Sequence, residues 1–121
     1  MNIFDSTLAQ NFGIAASAIY NIAGGTVTIA SSTVSGNLAA VNTNVPGAAI
    51  VNGGGTVRLE NSIVAQNSSG SSNPIPWDCA GTITSLGNNL IGTLGGCTVA
   101  LQNSDLTGDA GLGTFMDNGT P

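Results

Sequence analysis

The stretch GGTVTIASSTVSGN, residues 24–37, returns as GGTVRLENSIVAQN, residues 54–67, and this repetition decides how the rest of the chain reads. Both copies keep Gly-Gly-Thr-Val, an apolar residue at Ile29 or Leu59, Ser32 or Ser62, Val34 or Val64, and a closing Asn. The residues between these points vary freely. A chain that preserves only its apolar, small and turn-forming positions is preserving a packing register.

Working outward, the same pattern is found as NIFDSTLAQN ending at Asn11 and, more loosely, as ALQNSDLTGD ending at Asp109. Ile3, Ile29, Leu59 and Leu101 fall into one column, and Leu8, Val34, Val64 and Leu106 into another. SAIYN ending at Asn21 and AAIVN ending at Asn52 occupy the same place in consecutive repeats. Val27, Val57, Ile83 and Val99 open successive units and form a further column. The unit lengths are 26 residues from Asn11 to Asn37 and 30 from Asn37 to Asn67, within the range expected of solenoids. Gly pairs, β-branched runs and Asn turns oppose helix in every window, so the chain is expected to be all-β.

If each unit is one coil of a single-stranded parallel β-helix, the column Val27, Val57, Ile83, Val99 stacks along the axis, with rungs about 4.8 Å apart. About five short coils would then fill a single domain over residues 1–121, with an excursion near 68–80 and a closing segment near 107–121. Asn11, Asn37 and Asn67 would sit at equivalent corners. There Asn tolerates the left-handed conformation, and its amide reaches the next rung: a structural Asn ladder rather than a site.

These pieces, SAIYN with GGTVTIASSTVSGN, then GGTVRLENSIVAQN, DCAGTITSLGNNLIG and DAGLGTFMDNGTP, resemble the bacterial surface proteins with parallel β-helix repeats. Those proteins are often associated with a CSLREA-type motif or with polymorphic outer-membrane proteins. The resemblance covers nearly the whole chain, and its last piece is similar to that family's closing stretch. It implies right-handed coiling, an extracellular or cell-surface setting, and a structural or adhesive role.

Composition removes several functions. The net charge is −5 and the only basic residue is Arg58, so phosphate groups cannot be neutralised; nucleic acid and anionic membranes are excluded as partners. No stretch reaches the length of a membrane span, and the first residues lack the pattern of a secretory signal. The chain is therefore expected to be processed, part of something longer, or exported by another route.

No catalytic residues are expected, because His and Lys are missing and Asp5 and Glu60 do not pair. No cofactor or metal is expected either. Asn103, Asp105 and Asp109 offer oxygen ligands, but without the repetition of calcium-roll proteins they read as a solvated turn. Gly53–Gly55 lacks the Lys-Ser/Thr of a phosphate loop and reads as a tight corner.

Cys79 and Cys97, without metal-ligand partners, favour a disulfide over two packed thiols, and such a bond implies an oxidising compartment. Trp77, within NPIPWDC, is expected to cover the neighbouring core from a loop. Thr26 with Thr28, and Thr82 with Thr84, present an outward face suited to ice or glycan, although Arg58 interrupts it. The function expected from all of this is a non-enzymatic extracellular β-solenoid. It would self-associate end to end into a filament or form part of a surface adhesin, with an ice-binding or glycan-binding face as the alternative.

Overall fold

A computed structural model describes residues 1–40 and 47–116; the end of the closing segment, 117–121, lies outside them. The described residues hold no helix, and their strands wind into a β-solenoid of about three turns.

The first turn contains β1 (Asn2–Phe4), β2 (Thr7–Ala9), β3 (Phe12–Gly13) and β4 (Ala16–Ile22), and the second β5 (Thr26–Ala30), β6 (Thr33–Ser35), β7 (Leu38–Ala39) and β8 (Ala48–Gly53). The third holds β9 (Thr56–Glu60), β10 (Ile63–Ala65) and β11 (Ser68–Ser69), after which a short β12 (Ile75–Pro76) interrupts the path before β13 (Cys79–Ser85). The chain then adds β14 (Leu90–Ile91), β15 (Gly96–Val99) and β16 (Leu106–Thr107) to faces already begun.

Each strand pairs in parallel with its counterpart one turn away: β1 with β5, β5 with β9, β2 with β6, β6 with β10, and β4 with β8. Among the described strands only β12 runs antiparallel, against β11, apart from an isolated antiparallel bridge between Ile22 and Gly54.

Alternation of side chains explains the core. In β5 the residues Val27 and Ile29 point inward and are buried, while Thr26 faces solvent. Val57 and Leu59 repeat this one turn on, directly opposite Val27 and Ile29. With Val34, Val64, Ile50, Ile83 and Ile91 they form one continuous apolar column. A rung of Val, Ile and Leu is thin enough for each side chain to be covered by those above and below it.

β13 departs from the regular coil. Cys79 and Ala80 pair with Ile50 and Val51 of β8, whereas Thr84 and Ser85 pair with Arg58 and Leu59 of β9. Seven positions separate Val51 from Arg58, but only four separate Ala80 from Thr84, so one strand replaces a strand, a glycine turn and another strand. Gly81 takes this corner at φ +84°, and an added Cβ would collide with the carbonyl oxygen of Asn52.

The shortened turn corrects two of the expected columns. Ser85, not Leu101, stands opposite Leu59, and Leu101 is solvent-exposed. Leu106 pairs with Leu90 and is exposed, while Thr107 is the residue opposite the buried Ile91. A slip of one residue turns a strand's side chains to the other face, and in this part of the chain the pattern is too weak to prevent misreading.

Candidate functional site

Two corners of the solenoid are built from buried polar side chains, each preceded by a residue in the left-handed region. At the first corner those residues are Gln10, Gly36 and Gln66, with φ of 56°, 67° and 59°. The ladder residues Asn11, Asn37 and Asn67 follow them and do not themselves have positive φ, which corrects the expected role of the Asn backbone. Left-handed geometry at the preceding residue turns the chain, and the Asn side chain then lies along the axis.

Oδ1 of Asn37 accepts from both the backbone N–H and the carboxamide of Asn11, at 3.0 and 2.9 Å. Oδ1 of Asn67 accepts the same pair from Asn37, at 3.0 and 2.8 Å. The remaining amide hydrogen of Asn37 is shared between the carbonyls of Leu8 and Ser35. Asn37 and Asn67 are buried, and every polar atom of such a residue must find a partner.

The ladder ends at Asp78, whose Oδ1 accepts the backbone N–H and carboxamide of Asn67 at 2.9 and 2.8 Å, while Oδ2 accepts the N–H of Thr93 at 2.7 Å. Burial pushes the Asp78 carboxyl above the usual range, and the hydrogen bonds from Asn67 and Thr93 oppose that rise.

A second ladder occupies the other corner. Asp5, Ser31, Asn61 and Asn88 have positive φ, and each precedes a ladder residue: Ser6, Ser32, Ser62 or Asn89. The N–H of Ser6 donates to Ser32 Oγ, that of Ser32 to Ser62 Oγ, and that of Ser62 to Asn89 Oδ1 at 3.0 Å. Asn89 donates to Asp105 Oδ1 at 2.9 Å, and Asp105 Oδ2 accepts from Ser85 Oγ and the N–H of Gln102. Desolvation raises the Asp105 carboxyl, but the bonds from Ser85, Gln102 and Asn89 outweigh it, so its pKa is lowered.

Asp105 is thus a ladder terminus, whereas Asn103, in a turn, and Asp109 are exposed as a solvated segment requires. Sequence reasoning missed this whole ladder. Its signal is the polar dipeptides Asp5-Ser6, Ser31-Ser32, Asn61-Ser62 and Asn88-Asn89, each opening a corner ahead of a short apolar strand.

Both ladders run in one direction, with donors on the earlier turn and acceptors on the later one. Each finishes on a carboxylate, which has no side-chain N–H to pass on. Among the described residues β1, β2, β3 and β4 of the first turn each pair on one edge only, with the second turn, and at the other end β15 and β16 do the same. The first turn also exposes Met1, Phe4, Phe12 and Ile14.

The other expected residues fall as follows. Val27 pairs with Val57 and Ile83 with Val99, and all four belong to or pack against the main core. Cys79 and Cys97 form a disulfide with Cα atoms 5.4 Å apart, tying β13 to β15. Such bonds persist in oxidising compartments rather than in the reducing cytoplasm.

Trp77 packs on a small cluster of Ala48, Val51 and Ala80, and its buried indole N–H has no partner among the described residues. On the outward face Thr26 pairs with Thr56 and Thr82 with Thr98, while Arg58 stands between Thr28 and Thr84 and breaks that second row. Among the described residues no three His, Cys, Asp or Glu side chains gather closely enough to hold a metal, and no helix is long and apolar enough to cross a membrane.

No family model, curated protein or solved structure matches this chain.

Proposed function

We propose that the chain is a non-enzymatic extracellular structural module that extends or assembles β-solenoids by stacking at its ends, as a filament of copies or as part of a surface adhesin. The observation that carries this reading is the first turn, where four strands have no neighbour on one edge among the described residues and apolar side chains stand exposed beside them. Another coil laid on that edge would continue the backbone ladders and the core. With a formal net charge of only −5 and few ionic groups, little repulsion opposes such contact.

Right-handed winding follows from the strong preference of parallel strands for right-handed crossovers. Counting β16 as the fifth layer of its face, after β2, β6, β10 and β14, supports about five coils. The Cys79–Cys97 bond and the resemblance to surface β-helix proteins support an extracellular site, and the scarcity of clustered catalytic groups supports a role without chemistry.

Sizing over a range of concentrations, with electron microscopy of the largest species, tests assembly. Growth into end-to-end particles is the expected result. A chain that stays monomeric at every concentration would leave only the role of a module within a larger surface protein.

A further inference from the structure

One corner of the solenoid turns at Gln10, Gly36 and Gln66 on successive coils, all in the left-handed region. Glycine adopts that conformation freely and Asn tolerates it, but Gln has no short side chain to bond its own backbone there. Two of the three coils nevertheless carry Gln, with the side chain exposed to solvent. Conformational cost kept at an exposed position points to a use for the side chain.

Gly36 stands between the two Gln residues, and a Cβ added to it would meet nothing within 4 Å. The corner is therefore a notch flanked by Gln10 and Gln66, whose backbones are about 10 Å apart at the spacing of two rungs.

The returning chain at residues 112–116 closes this notch into a groove of about 500 Å³, anchored where Gln66 Nε2 donates to the carbonyl of Leu112 at 2.9 Å. Thr7, Thr33 and Ser35 line the groove from β2 and β6, and from the returning chain Phe115, which is 62% exposed, lines it as well. The volume lies within the range of small-ligand sites.

Among the described residues no ionisable side chain lines the groove, and Arg58, the only basic residue of the chain, belongs to another face. A phosphate or carboxylate would find no counter-charge here. Carboxamides and hydroxyls both donate and accept, which suits the adjacent hydroxyls of a sugar, and an exposed phenyl ring offers a face on which a pyranose can lie. We propose that this groove binds a neutral oligosaccharide, with Phe115 as the stacking platform and Gln10 and Gln66 as hydrogen-bonding partners. The site is on the flank of the solenoid and operates whether or not the ends stack.

The test is NMR titration of the full chain with cellohexaose, maltohexaose, mannohexaose and N-acetylchitohexaose, with hexagalacturonate as the charged control. Expected are saturable shifts of the Gln10 and Gln66 side-chain amides with a neutral sugar and none with the uronate. Phe115→Ala should weaken binding about tenfold, and so should Gln10→Gly. The glycine variant relieves the backbone at this corner, so loss of binding cannot come from loss of the fold. Silence with all four neutral sugars, equal binding of the uronate, or undiminished binding by Gln10→Gly would each overturn the proposal.

Discussion

The carboxamide of Asn37 donates to Oδ1 of Asn67 at 2.8 Å, and both residues are sealed from solvent. One side chain therefore joins three turns, because Asn37 also accepts two hydrogen bonds from Asn11. Replacing it with Ala removes the acceptor of both Asn11 donors and the donor to the carbonyl of Leu8, and leaves Oδ1 of Asn67 only the backbone N–H of residue 37.

Asn37→Ala is accordingly expected to lower stability by about 3 kcal/mol, the sum of several modest bonds and the cost of leaving buried partners unmet. Denaturant unfolding measures this. A loss below about 1 kcal/mol would show that water replaces the ladder.

Val57→Asp places a carboxylate in the core between Val27 and Ile83, where no basic group is within the column. The expected loss is about 4 kcal/mol or more, enough to prevent folding of a marginally stable domain. Circular dichroism melting checks it, and an unchanged midpoint would mean that the side chain finds its way out to solvent.

Reduction of the Cys79–Cys97 bond, which spans a sequence separation of 18, frees a loop that contains β14, the ladder residue Asn89 and Thr93, whose N–H donates to Asp78. A loss of about 3 kcal/mol is expected, with β14–β16 becoming exchangeable before the earlier turns. Hydrogen exchange with and without reductant reads both effects, and intact-mass analysis after alkylation without reductant should find no free thiol.

The two ladder termini respond oppositely to pH. The Asp105 pKa is lowered in the folded chain, so its stabilisation is present above 3.8 and is lost as pH falls through the folded value. That of Asp78 is raised, so its contribution is greatest below 3.8 and declines as pH rises through its folded value. Thermal midpoints collected between about pH 2 and pH 7 should show a weaker acid loss in Asp105→Asn and a weaker decline with rising pH in Asp78→Asn. Parallel profiles for the two variants would contradict the assignment.

How much was legible depended on how strictly each residue type is tied to its place. Thr-Val-x-Ile/Leu, Ser-x-Val and the closing Asn recur because every rung must cover its neighbours, so solenoid architecture, the strand faces and the pairing of Val27 with Val57 follow from the sequence by itself. The same constraint made Asn11, Asn37 and Asn67 visible as a ladder.

Beyond Asn67 the Cys79–Cys97 bond and the pairing of Ile83 with Val99 were still legible, but the repeat no longer fixed the path of the chain between them. Asp78 lies on the far side of an excursion, and only the path of residues 70–77 brings its carboxylate under Asn67. Gly81 lets one strand do the work of two and shifts the register, which put Ser85 where Leu101 was expected and turned Leu106 outward. The flank groove depends on residues 112–116 returning across coils far earlier in the chain. Local pattern is set by contacts one rung away, whereas corners, excursions and returning segments are set by which distant backbone offers space and hydrogen-bond partners, and that is decided only when the whole coil has closed.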